Sequence, residues 1–178
     1  MTTTLVMAAL LFASTAFQVL APAWGGLGGA KPPLLLACVL YYALNRGRRQ
    51  VLFAAAAAGL LYDLHAACPL GVHMLVFGAL GLLAFRFQRV VLTDSAVTPA
   101  VFGLAAAVAA ELVTYAVLRR AGLPAWPLGR LAYRLGVTGL LGAVVSPLVF
   151  AAARCADRVM GNIEVREIVD GIEQPLRR

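Results

Sequence analysis

Asp63 and Glu111 are the two acidic residues that fall inside apolar stretches of this 178-residue sequence. A carboxylate in hydrocarbon is costly, so each needs a cationic partner, a water-filled cavity or a proton. Arg134 opens the last apolar stretch, and Arg119 and Arg130 flank it. His65 and His73 lie near Asp63, but with Pro69 between them the three side chains do not share one helix face, and no metal site is expected. Cys38, Cys68 and Cys155 show no CxxC spacing and read as small apolar fillers. Ser14, Ser95 and Ser146 have no histidine at a catalytic spacing, and no GxSxG, HExxH, P-loop or GxGxxG stands in a fitting context. Neither an enzyme nor a cofactor is implied.

The elements that must position these groups are apolar runs at about residues 4–21, 32–45, 51–67, 70–85, 97–118 and 135–153. At a rise of about 1.5 Å per residue, the first, fifth and sixth cross a hydrocarbon core of about 30 Å. The second, third and fourth are shorter. Lipid cannot satisfy open backbone groups, so the runs are expected to be helices packed as a bundle. The third and fourth are either short spans or partly re-entrant helices joined at Cys68 and Pro69. The fold class is all-α: a polytopic transmembrane helix bundle of about six spans, over residues 1–153, followed by a short cytoplasmic tail, 154–178. Ala21, Pro22 and Ala23 loosely resemble a signal-peptide cleavage site, but no Lys or Arg precedes the first run and it is too long for a usual signal core. It is expected to be a retained span.

Composition agrees: 62% of residues are apolar and 13% charged, so apolar surface is left over to face lipid. The net charge of +7 is spread over short clusters between the runs, which is where a membrane protein meets anionic headgroups, and does not form a nucleic-acid surface. With the N-terminus inside, the inner side carries Arg46, Arg48, Arg49, Arg86, Arg89, Arg154, Arg158, Arg166, Arg177 and Arg178. The outer side carries Lys31, Arg119, Arg120, Arg130 and Arg134, so both termini are expected to be cytoplasmic. Trp24 and Trp126 then fall in outer connections, at headgroup level. Small residues, in Ala54 to Gly59, in Ala105 to Ala110 and at Gly139, Gly142, Ala143 and Ser146, offer close helix packing. In the tail, Ile163 to Val169 alternates weakly, as a short strand would.

Counted from the inner ends of their helices, Glu111 lies about 21 Å and Asp63 about 18 Å along, toward the outer leaflet. Arg134 is on that side. A polar cluster of Asp63, Glu111 and Arg134 near the outer face is one expectation; separate carboxylates reaching up to the interface are the other.

A proline-led apolar helix (Pro33 to Leu36) ends in Ala43-Leu44-Asn45-Arg46-Gly47, then come Gly59-Leu60-Leu61-Tyr62-Asp63-Leu64 and Pro69-Leu70-Gly71, in that order. Across this stretch, Pro33 to Gly71, the chain resembles the rod shape-determining protein MreD family. The positions that carry the resemblance are Arg46, Gly47, Gly59, Asp63, Pro69 and Gly71. Glu111 and Arg134 are outside it. The resemblance implies a non-enzymatic subunit of the bacterial elongation machinery in the cytoplasmic (inner) membrane, coupling lateral peptidoglycan synthesis to cell shape. Its implied partners are MreC, the RodA glycosyltransferase and a class B penicillin-binding transpeptidase, directly or through MreC, together with MreB filaments and membrane lipids. Proteins of that family are also similar to the six-helix substrate-binding subunits of energy-coupling-factor vitamin transporters. A solute-binding membrane subunit is therefore the competing expectation.

Overall fold

Each apolar run becomes one helix, and the breaks fall where proline, glycine or clustered arginines interrupt it. The structure, a computed structural model, describes residues 2–20, 29–66, 69–88, 97–123 and 127–160. The helices are α1 (Thr2–Leu20), α2 (Leu34–Asn45), α3 (Arg48–Asp63), α4 (Val72–Phe87), α5 (Val97–Arg120) and α6 (Leu128–Val159). The described residues contain no strand. Trp24, Cys68, Arg89, Trp126 and the segment Ile163 to Val169 lie outside the described residues.

Three helices, α1, α5 and α6, are long and apolar enough to cross a membrane. The 12 residues of α2 span only about 18 Å, too short to cross alone. Its place in the bundle explains this. Every residue from Leu35 to Leu44 is buried, and α2 touches each of the other five helices. A helix apolar on all sides belongs either in lipid or in a core, and α2 is the core. Tyr41 stacks edge-on against Phe150 of α6 and against Tyr42, with ring centroids 5.3 Å apart in both pairs.

Between lipid-facing helices there is little hydrophobic drive, so small side chains that let backbones approach supply much of the association. The α5–α6 crossing is built this way. A Cβ on Gly103 would overlap the Ser146 side chain and the Gly142 carbonyl, and a Cβ on Gly142 would lie 2.8 Å from the Ala107 methyl. The same holds where α3 crosses α4, since a Cβ on Gly59 would run into the Met74 backbone. Gly103→Ala is therefore expected to cost about 1–3 kcal/mol by overpacking. Gly136→Ala, on the same pair of helices with open space around it, should hold or raise stability. Thermal unfolding of the two variants in detergent checks the contrast; equal melting temperatures would contradict the close crossing.

The sixth helix runs past the expected boundary at residue 153 to Val159. Arg154, Asp157 and Arg158 end the hydropathy signal without ending the helix. Asp157 is in fact buried, for the reason given next.

Candidate functional site

Polar chemistry is gathered at the two ends of the bundle. At one end the C-termini of α2, α4 and α6 meet. Arg46 closes α2, its backbone N–H donating to the Tyr42 carbonyl, and its guanidinium turns inward. Nη2 donates to Asp157 Oδ2 at 2.8 Å, and the Tyr41 hydroxyl donates to the same oxygen at 2.7 Å. Arg46 is 8% exposed and Asp157 2%, so this is a buried charge pair. The Gln88 amide adds a 3.4 Å bond to the Arg46 carbonyl from the end of α4. The neighbouring Gly47 caps α3 with an ordinary negative φ and has open space around it, so nothing in the packing demands glycine there.

At the opposite end α3 turns into α4 through Pro69 and Gly71. Gly71 has φ +96°, the left-handed region that favours glycine, and it forms the N-cap of α4. Asp63, at the last turn of α3, reaches across this turn. It accepts hydrogen bonds from the backbone N–H of Gly71 (2.8 Å) and of His73 (3.2 Å), and from His73 Nδ1 (2.6 Å). The carboxylate thereby caps the exposed amides that begin α4 and sits at the positive end of its dipole. With Nδ1 as the donor, His73 Nε2 is left to accept from the Thr114 hydroxyl, 3.3 Å away on α5. Tyr62 lies over the His73 ring, centroids 4.1 Å apart.

Arg134 of α6 donates through Nε to Glu111 of α5, a half-buried ion pair at this same end. The sequence-derived trio is thus found as two pairs: Glu111 with Arg134, and Asp63 with His73. His65 is exposed and, among the described residues, bonds locally through Nδ1 to the Leu61 carbonyl. No group of three or more His, Cys, Asp or Glu side chains among the described residues is placed to hold a metal ion. Glu111→Gln keeps an acceptor for Arg134 and is expected to cost about 1 kcal/mol, whereas Glu111→Leu removes a charged hydrogen bond and should cost about 2–3 kcal/mol. Denaturant titration of both variants separates these values, and equal stability would argue against the pair.

Glu111, Arg134 and His73 border a cavity of about 470 Å³ that reaches residues of all six helices. Lys31 and Gln18 also line it, as do the buried Leu36, Phe77 and Ala107.

The family model for rod shape-determining protein MreD matches residues 1–123. The chain belongs to the MreD family. No curated protein and no solved structure matches it. Family membership makes this a cell-shape-related membrane protein, in agreement with its three long apolar helices. The matched region contains α1 to α5 and so includes Arg46, Gly59, Asp63, Pro69, Gly71 and Glu111, while Arg134 and Asp157 lie beyond it. Asp157 is the residue that sequence reasoning passed over. Its one signal was being a lone acid between Arg154 and Arg158, close to the end of an apolar run.

Proposed function

We propose that this MreD-family chain is a non-enzymatic scaffold subunit of the rod elongation complex in the bacterial inner membrane, which binds MreC and through it couples lateral peptidoglycan synthesis to cell shape. RodA, the class B penicillin-binding transpeptidase and MreB filaments are the further partners of this assembly. The family match carries the reading. The physical character of the chain supports it: the polar groups are engaged mainly in holding helices to one another, and large apolar side chains such as Leu5, Phe12, Leu140 and Leu148 remain exposed on helix faces open to lipid or to partner helices.

The chain crosses the membrane several times with both termini in the cytoplasm. The Arg46 end, which carries Arg48, Arg49, Arg86, Arg154 and Arg158, is the inner end by the positive-inside rule. A green fluorescent protein fused after Arg178 is then expected to fluoresce, and an alkaline phosphatase fused there to be inactive; the reverse pattern would invert the topology.

Affinity purification of the full chain from mildly solubilised native membranes tests the partner. MreC is expected to co-purify in near-stoichiometric amount. Recovery of a transporter ATPase pair in place of MreC would overturn the scaffold reading in favour of a solute-binding subunit.

A further inference from the structure

We propose that the cavity at the Glu111 end is a binding site for a small anionic amphiphile, with its acid group held near Lys31 and Arg134 and its apolar body lying over Leu36, Phe77 and Ala107. A volume of about 470 Å³ is in the range of small-molecule sites, which are typically apolar chambers with a few convergent polar groups.

The observation that calls for a ligand is a pair of unmet polar atoms on the wall. Gln18 Oε1 of α1 and Thr138 Oγ1 of α6 are buried and have no hydrogen-bond partner among the described residues. Both residues are only 7% exposed, and both line the cavity. An unpaired buried polar atom destabilises a protein, more so where lipid surrounds the helices. Placed on a cavity wall, these groups are completed by whatever occupies it: the Thr138 hydroxyl can donate to an acid oxygen, and so can the Gln18 amide once its Oε1 and Nε2 exchange places.

Charge gives the sign. The cavity has two side chains with fixed positive charge, Lys31 and Arg134, against one carboxylate, Glu111. The two histidines on its wall are already bonded, His65 to the Leu61 carbonyl and His73 to Asp63. Among the described lining residues one positive charge is in excess, which matches an acid. The buried lining by Leu36, Phe77 and Ala107 matches an apolar body. Such an acid could be a free small molecule or belong to a single-chain anionic lipid of the outer leaflet; the chemistry recognised is the same.

The test uses the full chain in phosphatidylcholine nanodiscs and decanoate carrying a photoreactive diazirine near its chain end. Cross-links are expected in the α4 and α5 peptides containing Phe77 and Ala107, and unlabelled decanoate should compete at least tenfold better than decanol. The Gln18→Leu/Thr138→Val double variant removes both unmet atoms, so it should keep or raise the melting temperature while cutting specific labelling at least fivefold. Lys31→Ala, at an exposed position, should reduce competition by decanoate if the double variant fails to fold. Repeating the labelling with lysophosphatidylglycerol added to the nanodiscs separates the sources: loss of label assigns the site to the lipid acid, and retention to a free small molecule. Labelling spread over lipid-facing residues such as Phe12 and Leu140, with decanol competing as well as decanoate, would overturn the proposal and leave a water-filled vestibule.

Discussion

Arg46→Met is expected to destabilise the bundle by about 3–5 kcal/mol, the usual consequence of removing one partner from a buried charge pair. The Asp157 carboxylate would keep the Tyr41 hydroxyl but lose the Arg46 guanidinium in a site that is 2% exposed. Asp157→Leu should cost a similar amount by stranding the guanidinium, whose Nε already has no partner among the described residues. The double variant Arg46→Met/Asp157→Leu removes both charges and should recover at least half of the loss, because two apolar groups of similar size can replace a buried ion pair with little penalty. Urea or detergent titration of the four proteins forms a double-mutant cycle. Additive losses in the double variant would contradict a direct pair. The prediction also has a structural readout. The pair ties α2, the central helix, to the end of α6, so Arg46→Met should make the chain after Ala153 sensitive to protease.

Asp63→Leu is expected to cost at least about 3 kcal/mol, since it strands three donors at once, each worth about 1–3 kcal/mol when buried without an acceptor. Those donors are the Gly71 and His73 amides and His73 Nδ1. Asp63→Asn keeps one carbonyl oxygen and should lose roughly half as much, because its amide group would face donors. His73→Leu deletes one of the three bonds while leaving the two backbone bonds in place, so its loss should be smaller than that of Asp63→Leu. Melting temperatures that rank Asp63→Leu lowest, with the other two between it and the unaltered protein, fit a carboxylate whose main task is capping α4. If His73→Leu were as damaging as Asp63→Leu, the weight would lie on the side-chain pair and the capping role would fall. Proton exchange at the Gly71 and His73 amides, fast in Asp63→Leu and slow in His73→Leu, separates the same two cases.

These two polar locks show what could and could not be read from the chain. The helices were legible because apolar runs alternate with arginine clusters and Pro–Gly turns, and the placement of Asp63 and Glu111 toward the same end of the bundle followed from counting residues along a helix. The partner of Asp63 was not legible. Gly71 takes a left-handed conformation, and the turn it makes brings His73 back onto a residue ten positions earlier, across a helix break that periodicity does not describe. Arg134 and Glu111 pair across 23 residues because α5 and α6 form a hairpin, a geometry that hydropathy does suggest. The burial of α2 was hidden for a different reason. A Leu- and Ala-rich helix has the same composition whether its neighbours are lipid tails or other helices. Asp157 lay 111 residues from Arg46, past the end of the apolar signal, where an acid among arginines reads as a solvated tail. Gly59 was visible as a small residue and Gly103 was not singled out; only the three-dimensional crossing shows that a single methyl would not fit at either.

The resemblance from Pro33 to Gly71 acquires a physical meaning from these contacts. Gly59 permits the α3–α4 crossing, Asp63 and Gly71 make the turn that starts α4, and Arg46 fastens the core helix to α6. All three are features of how the bundle is held together. Depleting the chain from its native cell, with complementation by the unaltered gene, tests the central claim most directly. The account predicts that rods round up and widen on depletion and regain their shape with the unaltered chain, and that Arg46→Met fails to restore them. Cells that keep their rod shape while losing uptake of a vitamin would contradict it.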